Sequence, residues 1–372
     1  MIKKFQNPSK LRGKHKSIIY NLRILFTFIF FILTCSSCER DKTPLSLNFN
    51  RYTSHDYEWG IDTLHAPDAL QVLMLGIWGT NENNVWVAGH SDLTKYQIWH
   101  WDGNRWQNQY LLFPGHPYSL TAIYGFSEDD IWMVGTDIQN YPNIIHRDFI
   151  INYDGGNWEY IENLNSPQCL SIWGSDPSNV FVGCDSGIVL YFNGTQWERQ
   201  STGTISRIYS ISGFNSQEVY AAGYHLDKQQ PIDTTFHYFF GFDGTEWVVK
   251  QSFVNTPFSP PEPFGYKVWA SNEGKLYSVG DDGLYLWNSP WHRIREEQLF
   301  AIYGTSINNI FVGGWANQLL HFNGNDWKSY TELYNDSNSI YDIWCTSEKV
   351  FAISVIGNNS LIYRGQVKME RR

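Results

Sequence analysis

Five cysteines, eleven histidines and 37 aspartates and glutamates are the groups in this 372-residue chain that could serve as nucleophiles, acids, bases or metal ligands. Their spacing denies most of that chemistry. Cys35-Ser-Ser-Cys38 has the gap of a redox dithiol, but it ends a basic and apolar N-terminal segment and reads as a processing site. No Gly-x-Ser-x-Gly elbow, His-Glu-x-x-His pair or second Cys-x-x-Cys is present. His100 and His321 fall at equivalent places in a repeated phrase (WHWDG and LHFNG), as a template residue does. His116, His146, His225 and His237 stand singly in irregular stretches, so no metal site is expected. Asp281 and Asp282 are adjacent carboxylates before Gly283, with nothing beside them to split their acidities into an acid and a base. They read as a loop turn. No catalytic residue and no cofactor is assigned.

The N-terminus has chemistry of another kind. Residues 1–23 carry seven Lys and Arg and no acid, and the apolar run ILFTFIFFILT (24–34) follows. That order is a secretory signal, and the run is too short to cross a bilayer core, which takes roughly 20 residues. Ser36-Ser37-Cys38 resembles a bacterial lipobox, in which small residues precede a cysteine that is fatty-acylated and becomes the first mature residue. Cys35 stands where such boxes carry Leu, and as the modified residue itself it is the weaker candidate, because Thr34 suits a cut poorly. The resemblance implies a signal over 1–37, lipidation of Cys38, a tether over 38–54, and an exported protein anchored to the bacterial cell envelope. The outer membrane is the expected site, on its periplasmic or cell-surface side. The whole chain has 27 basic and 37 acidic residues; without the seven basics of the signal, 20 face 37, a formal charge of −17. So acidic a domain should not bind nucleic acid, nor adhere to anionic lipid except through its anchor.

The elements that must position any site come from a repeat. The phrase IWG (77–79) recurs as IYG (123–125), IWG (172–174), ISG (211–213), VWA (268–270), IYG (302–304) and IWC (343–345). Each is followed by an apolar strand such as VWVAG, IWMVG or VFVGC, and then by a turn ending in Trp, such as WDGNRW (101–106) or FNGTQW (192–197). Copies spaced by 34 to 57 residues, each with four short strands, describe the blades of a propeller. The chain's 17 Trp, 23 Tyr and 23 Phe, beside 17% charged residues, suit strands that are buried on both faces. Asp-Gly and Asn-Gly are expected in tight two-residue hairpins between third and fourth strands. Copy seven stops at YRGQV (363–367) without its Trp, and HDYEWGIDTL (55–64) can supply the missing outer strand.

The expected fold is therefore all-β: a seven-bladed propeller of four-stranded antiparallel blades over 55–368, closed by an N-terminal outer strand in the last blade, with a tail at 369–372. This pattern resembles the bacterial secreted β-propeller repeat proteins whose blades read IWG…VWAVG…HYDG…W, many of them lipoproteins. Its Asp-Gly-x-x-Trp turn is also similar to the tail of the Asp-box in sialidase-type propellers, although the full box is absent. Such a resemblance implies fold and carries little about activity.

Turns that look alike in most copies lie at one end of such a propeller, and connections that differ everywhere lie at the other. Long connections at 90–97, 136–148, 224–238 and 252–265 make the variable end the expected functional face. Two sets of residues are candidates there. The residue leaving the second strand is His90, Thr136, Asp185, Tyr224, Asp281 or Trp315, a mixed aromatic and acidic rim. The residue two before each motif centre is small (Gly76, Ala122, Ser171, Ser210, Ala301), except Lys267 and Asp342, which would face each other, water or a ligand in the channel. Residue 174 is expected to face 179, which makes Cys169 and Cys184 direct cross-strand partners and candidates for a disulfide. Cys345 takes a glycine's place and reads as a small buried residue.

The function expected is a binding or scaffold module with a protein or glycan ligand on the variable face. Two alternatives stand beside it: a glycan-cleaving hydrolase or lyase with carboxylates at the channel mouth, and a structural envelope component. The oligomeric state is left open.

Overall fold

The computed structural model describes residues 52–368, apart from 94, 112–117, 140–144, 162, 163, 165, 229 and 231. The signal, Cys38, most of the tether and the tail lie outside the described residues. The described chain forms seven four-stranded antiparallel blades. In blade 3 the strands are Cys169–Asp176, Asn179–Cys184, Ile188–Phe192 and Trp197–Ser201, paired in chain order. The innermost strands of blades 1 to 7 are Val72–Asn81, Tyr118–Ser127, Cys169–Asp176, Arg207–Asn215, Lys267–Ala270, Leu299–Ser306 and Asn338–Cys345. Each packs against the next, and the last packs against the first, so the blades close a ring.

Closure uses the N-terminal strand as expected. Tyr57–Thr63 pairs antiparallel with the third strand of blade 7, from Tyr57 opposite Val367 to Thr63 opposite Leu361. Asp62 accepts two bonds from the Arg364 guanidinium (3.1 and 3.2 Å) and one from Trp106 Nε1 of blade 1 (3.1 Å). One parallel pair, Val72 with Asn359, also joins blade 7 to blade 1. Ahead of the closing strand, the Thr53 amide donates to the Asn323 carbonyl of blade 6 (3.0 Å).

The Ile-Trp-Gly phrase has a packing explanation. A methyl group on Gly125, Gly213, Gly304 or Gly79 would lie 2.6 to 3.0 Å from the ring of Trp78, Trp173, Trp269 or Trp344 respectively, the motif centre of the preceding blade. Glycine fits because the outer edge of an indole comes up against it. Two departures from the motif follow the same rule. Ser212 is the small centre of blade 4, and blade 5 then carries Ala270, whose amide donates to Ser212 Oγ (3.0 Å). Tyr303 is the centre of blade 6, and blade 7 then carries Cys345, a buried free thiol in the same apolar cluster.

The turns are tight, as expected. Trp101 pairs with Trp106 and Phe192 with Trp197, and between them lies a four-residue turn whose first amide donates to the fourth carbonyl (Asp102 to Arg105, 3.3 Å; Asn193 to Gln196, 3.2 Å), leaving two residues at the tip. Its first residue bonds the two amides that follow at positions three and four: Asp102 Oδ1 accepts from Asn104 and Arg105 (both 2.9 Å), and Asn193 Oδ1 from Thr195 and Gln196 (3.1 and 3.0 Å). The second residue, Gly103 or Gly194, has φ near +90°, where a side chain would also meet Asn83 or Ser178 in the neighbouring turn.

Candidate ligand-binding site

The seven inner strands surround a channel with a cavity of about 670 Å³. Its lining reaches Tyr266, Trp315 and Ser339, residues at strand ends on the variable side, so its mouth opens there. Deeper in the channel the residue before each motif centre forms a ring, isoleucine in six blades and Val268 in blade 5. This aliphatic ring shares the lining with the motif centres Trp78, Tyr124, Trp173, Trp269 and Tyr303 and with Ser171, Ser210 and Ser212.

The mouth is built by a device that the repeat conceals. In six inner strands the register slips by one residue, at Leu75, Thr121, Leu170, Tyr209, Phe300 and Tyr341. A bulged residue opposes no partner and is re-aimed. All six line the cavity, as does Tyr266, which occupies the equivalent place just before the blade 5 strand. Blades 1 to 3 thus offer Leu75, Thr121 and Leu170, whereas blades 4 to 7 offer Tyr209, Tyr266, Phe300 and Tyr341. Phe300 and Tyr341 stack at 6.0 Å, and Tyr341 is 42% exposed. Trp315, 56% exposed, extends this aromatic crescent. A strict two-residue period puts attention on the neighbouring small residues and hides the bulge. The signal that could have revealed it is the aromatic run at one template position in four consecutive copies.

The candidate residues from the sequence divide. Lys267, Asp342 and Trp315 come together in the lining. Lys267 Nζ donates to Asp342 Oδ1 (2.8 Å) and to the Tyr341 carbonyl (3.3 Å), reaching from blade 5 to blade 7. Asp342 Oδ2 accepts the Ile77 amide of blade 1 (3.0 Å), as Ser210 Oγ accepts the Val268 amide (3.0 Å), so it also ties neighbouring blades. Tyr224 stands behind the lining, stacked on Tyr209 at 4.5 Å. Asp281 Oδ1 accepts from Gln298 Nε2 (2.9 Å), and its charge bears on Tyr224, Tyr266 and Glu262. Asp185 is taken by Arg207 Nε (3.0 Å), whose Nη2 donates to Gln168 (3.1 Å). His90 is half-buried on blade 1, opposite Leu73 and away from the lining, and burial lowers its pKa. Thr136 donates to Asp148 within blade 2 (2.8 Å).

Cys169 and Cys184 are disulfide-bonded and are direct cross-strand partners. The register between them differs from the expectation: Gly174 faces Val180, and the slip at Leu170 restores the pairing at the cysteines.

A buried pair lies behind the crescent. Glu262, 4% exposed, places Oε1 at 3.2 Å from His237 Nε2 and accepts there from Asn255 Nδ2 (2.9 Å). Burial raises the Glu262 pKa to about 7, with Asp281 and Asp282 adding to the shift, and burial lowers that of His237 to about 4. Between those values both are neutral, so the contact is a hydrogen bond between uncharged groups and not an ion pair. Neither residue lines the cavity. Asp342 is the carboxylate of the described lining, and both its oxygens are engaged, so a glycosidase pair is not assembled there.

Fold and channel define a seven-bladed β-propeller with a candidate site at its variable end. No family model matches the chain, and no curated protein does. Two solved structures share the fold at low identity. YCF48 bound to D1 peptide has a TM-score of 0.58 at 13% identity, covering 87% of this chain and 99% of its own. YCF48 from Cyanidioschyzon merolae has a TM-score of 0.52 at 12% identity, covering 82% and 98%.

Proposed function

We propose that this chain is an exported, lipid-anchored binding module of the bacterial cell envelope that holds a segment of another polypeptide in its channel mouth. The observation that carries this reading is the aromatic crescent standing over a ring of isoleucines, a concave and largely apolar site on a rigid scaffold. A polypeptide suits it better than a glycan. Sugar hydroxyls need unengaged acceptors, and the one carboxylate among the described lining residues is already taken by Ile77 and Lys267. That YCF48, a propeller of the same fold, has been solved with a D1 peptide supports a polypeptide ligand. The anchor rests on the basic and apolar N-terminal run and Cys38, and the proposed kinship with the secreted propeller lipoproteins rests on the repeated blade phrase.

The full chain, solubilised in detergent, would be used as bait for envelope extracts beside the double variant Phe300→Ala/Tyr341→Ala and a control, Asn104→Ala, at the opposite end. Capture of a polypeptide by wild type and control, reduced about tenfold in the double variant, is the expected result. Equal capture by all three would remove the site from the mouth. Mass spectrometry of the N-terminal peptide checks the anchor: acylation is expected on Cys38 and absent in Cys38→Ala.

A further inference from the structure

We infer that the bound segment is uncharged and apolar at its centre, with a backbone carbonyl accepting from the Lys267 ammonium in the channel wall; this rests on the polypeptide-binding reading above. The starting point is an anomaly of the template. Five blades place Gly, Ala or Ser where blades 5 and 7 place Lys267 and Asp342. The two exceptions contact each other, from blade 5 to blade 7. Stitching the blades does not require them, since Ser210 gives Val268 the same bond that Asp342 gives Ile77. Nor is a partly buried ion pair a good source of stability, because desolvation offsets most of its attraction. A charged pair kept where a small residue would serve points to a ligand.

The geometry also states which ligand group it accepts. Asp342 has one oxygen on an amide and the other on the ammonium, so it is committed. Lys267 carries three protons, of which Asp342 and the Tyr341 carbonyl take two. One donor remains for the lumen. A ligand carboxylate would have to share Nζ with Asp342 at close range, and a ligand cation would meet Nζ itself. A neutral carbonyl meets neither penalty. The flanking ring of isoleucines and the faces of Phe300, Tyr341 and Trp315 then accept the apolar side chains on either side of that carbonyl.

The test is panning of a random dodecapeptide phage library on the full chain in detergent, followed by titration of the enriched synthetic peptides. Enrichment of sequences with an uncharged, apolar or aromatic centre is expected. Their affinity should change less than about twofold between about 50 and about 500 mM NaCl, because no net charge is neutralised. Lys267→Met should weaken them about fivefold, and Tyr341→Ala about tenfold. The salt series on wild-type protein needs no variant, so it stands even where Lys267→Met disturbs the ring. Enrichment of acidic or basic centres, or steep loss of binding with salt, overturns the inference while leaving polypeptide binding intact. Failure to enrich any peptide, with maltoheptaose or chitohexaose bound instead in a Tyr341-dependent manner, overturns both.

Discussion

Two kinds of residue set the local energetics, and each can be tested alone. The glycines of the repeat are contact residues: with Trp78 2.6 Å from where its methyl would stand, Gly125→Ala should cost about 1–3 kcal/mol of stability, seen as a lower denaturant midpoint. Glu262 and His237 are the second kind. For Glu262 the folded pKa, about 7, lies above the unfolded value near 4.5, so the unfolded state ionises first as pH rises. Stability is complete below the unfolded value and falls through pH 4.5 to 7, by about 3 kcal/mol. Glu262→Gln, which cannot ionise, should therefore melt higher than wild type above pH 7 and nearly equally below pH 4.5. His237 acts in the other direction. Its folded pKa, about 4, lies below 6.5, so acidification from 6.5 to 4 protonates the unfolded state first and removes stability. Calorimetric melting points across pH 4 to 9 check both signs.

At the scale of the element, blade 3 is braced by the Cys169–Cys184 disulfide across its two inner strands, one residue from the Asp185–Arg207 pair. Replacing both cysteines by serine should cost about 3 kcal/mol, the chain-entropy expectation for a loop of this length, and the melting point reads it. The blade itself was legible in the sequence because every strand is written seven times, with turn residues whose backbone demands are local. The cysteine pairing came out right although the expected register was one residue off, because the slip at Leu170 cancels the difference. The crescent was not, because a bulge at Tyr209 or Phe300 breaks the alternation from which facing is read. The Glu262–His237 contact was not legible either. It forms because the long connection after Asn255 folds back onto its own blade, and no repeat position specifies that. Lys267 and Asp342 stood out as departures from the template, but their mutual contact spans two blades and no repeat position specifies it.

At the scale of the molecule, the ring is held shut by a strand borrowed from the other end of the chain. Trp59 lies over Gly365 and against Tyr330 of blade 6 at 4.9 Å, while Asp62 ties Arg364 to Trp106. Trp59→Ala should remove about 2 kcal/mol and expose amides of blades 7 and 1 to hydrogen exchange before those of blade 3. Closure matters for binding because the crescent spans blades 4 to 7 and the Lys267–Asp342 bar ends on blade 7, whose Asp342 also holds blade 1. Photocrosslinking in cells tests most directly where the ligand sits, with benzoylphenylalanine placed at position 341 in the mouth or at position 104 at the opposite end. A discrete polypeptide adduct at 341 and none at 104 is expected; adducts confined to 104, or none at 341, would contradict the mouth as the binding site.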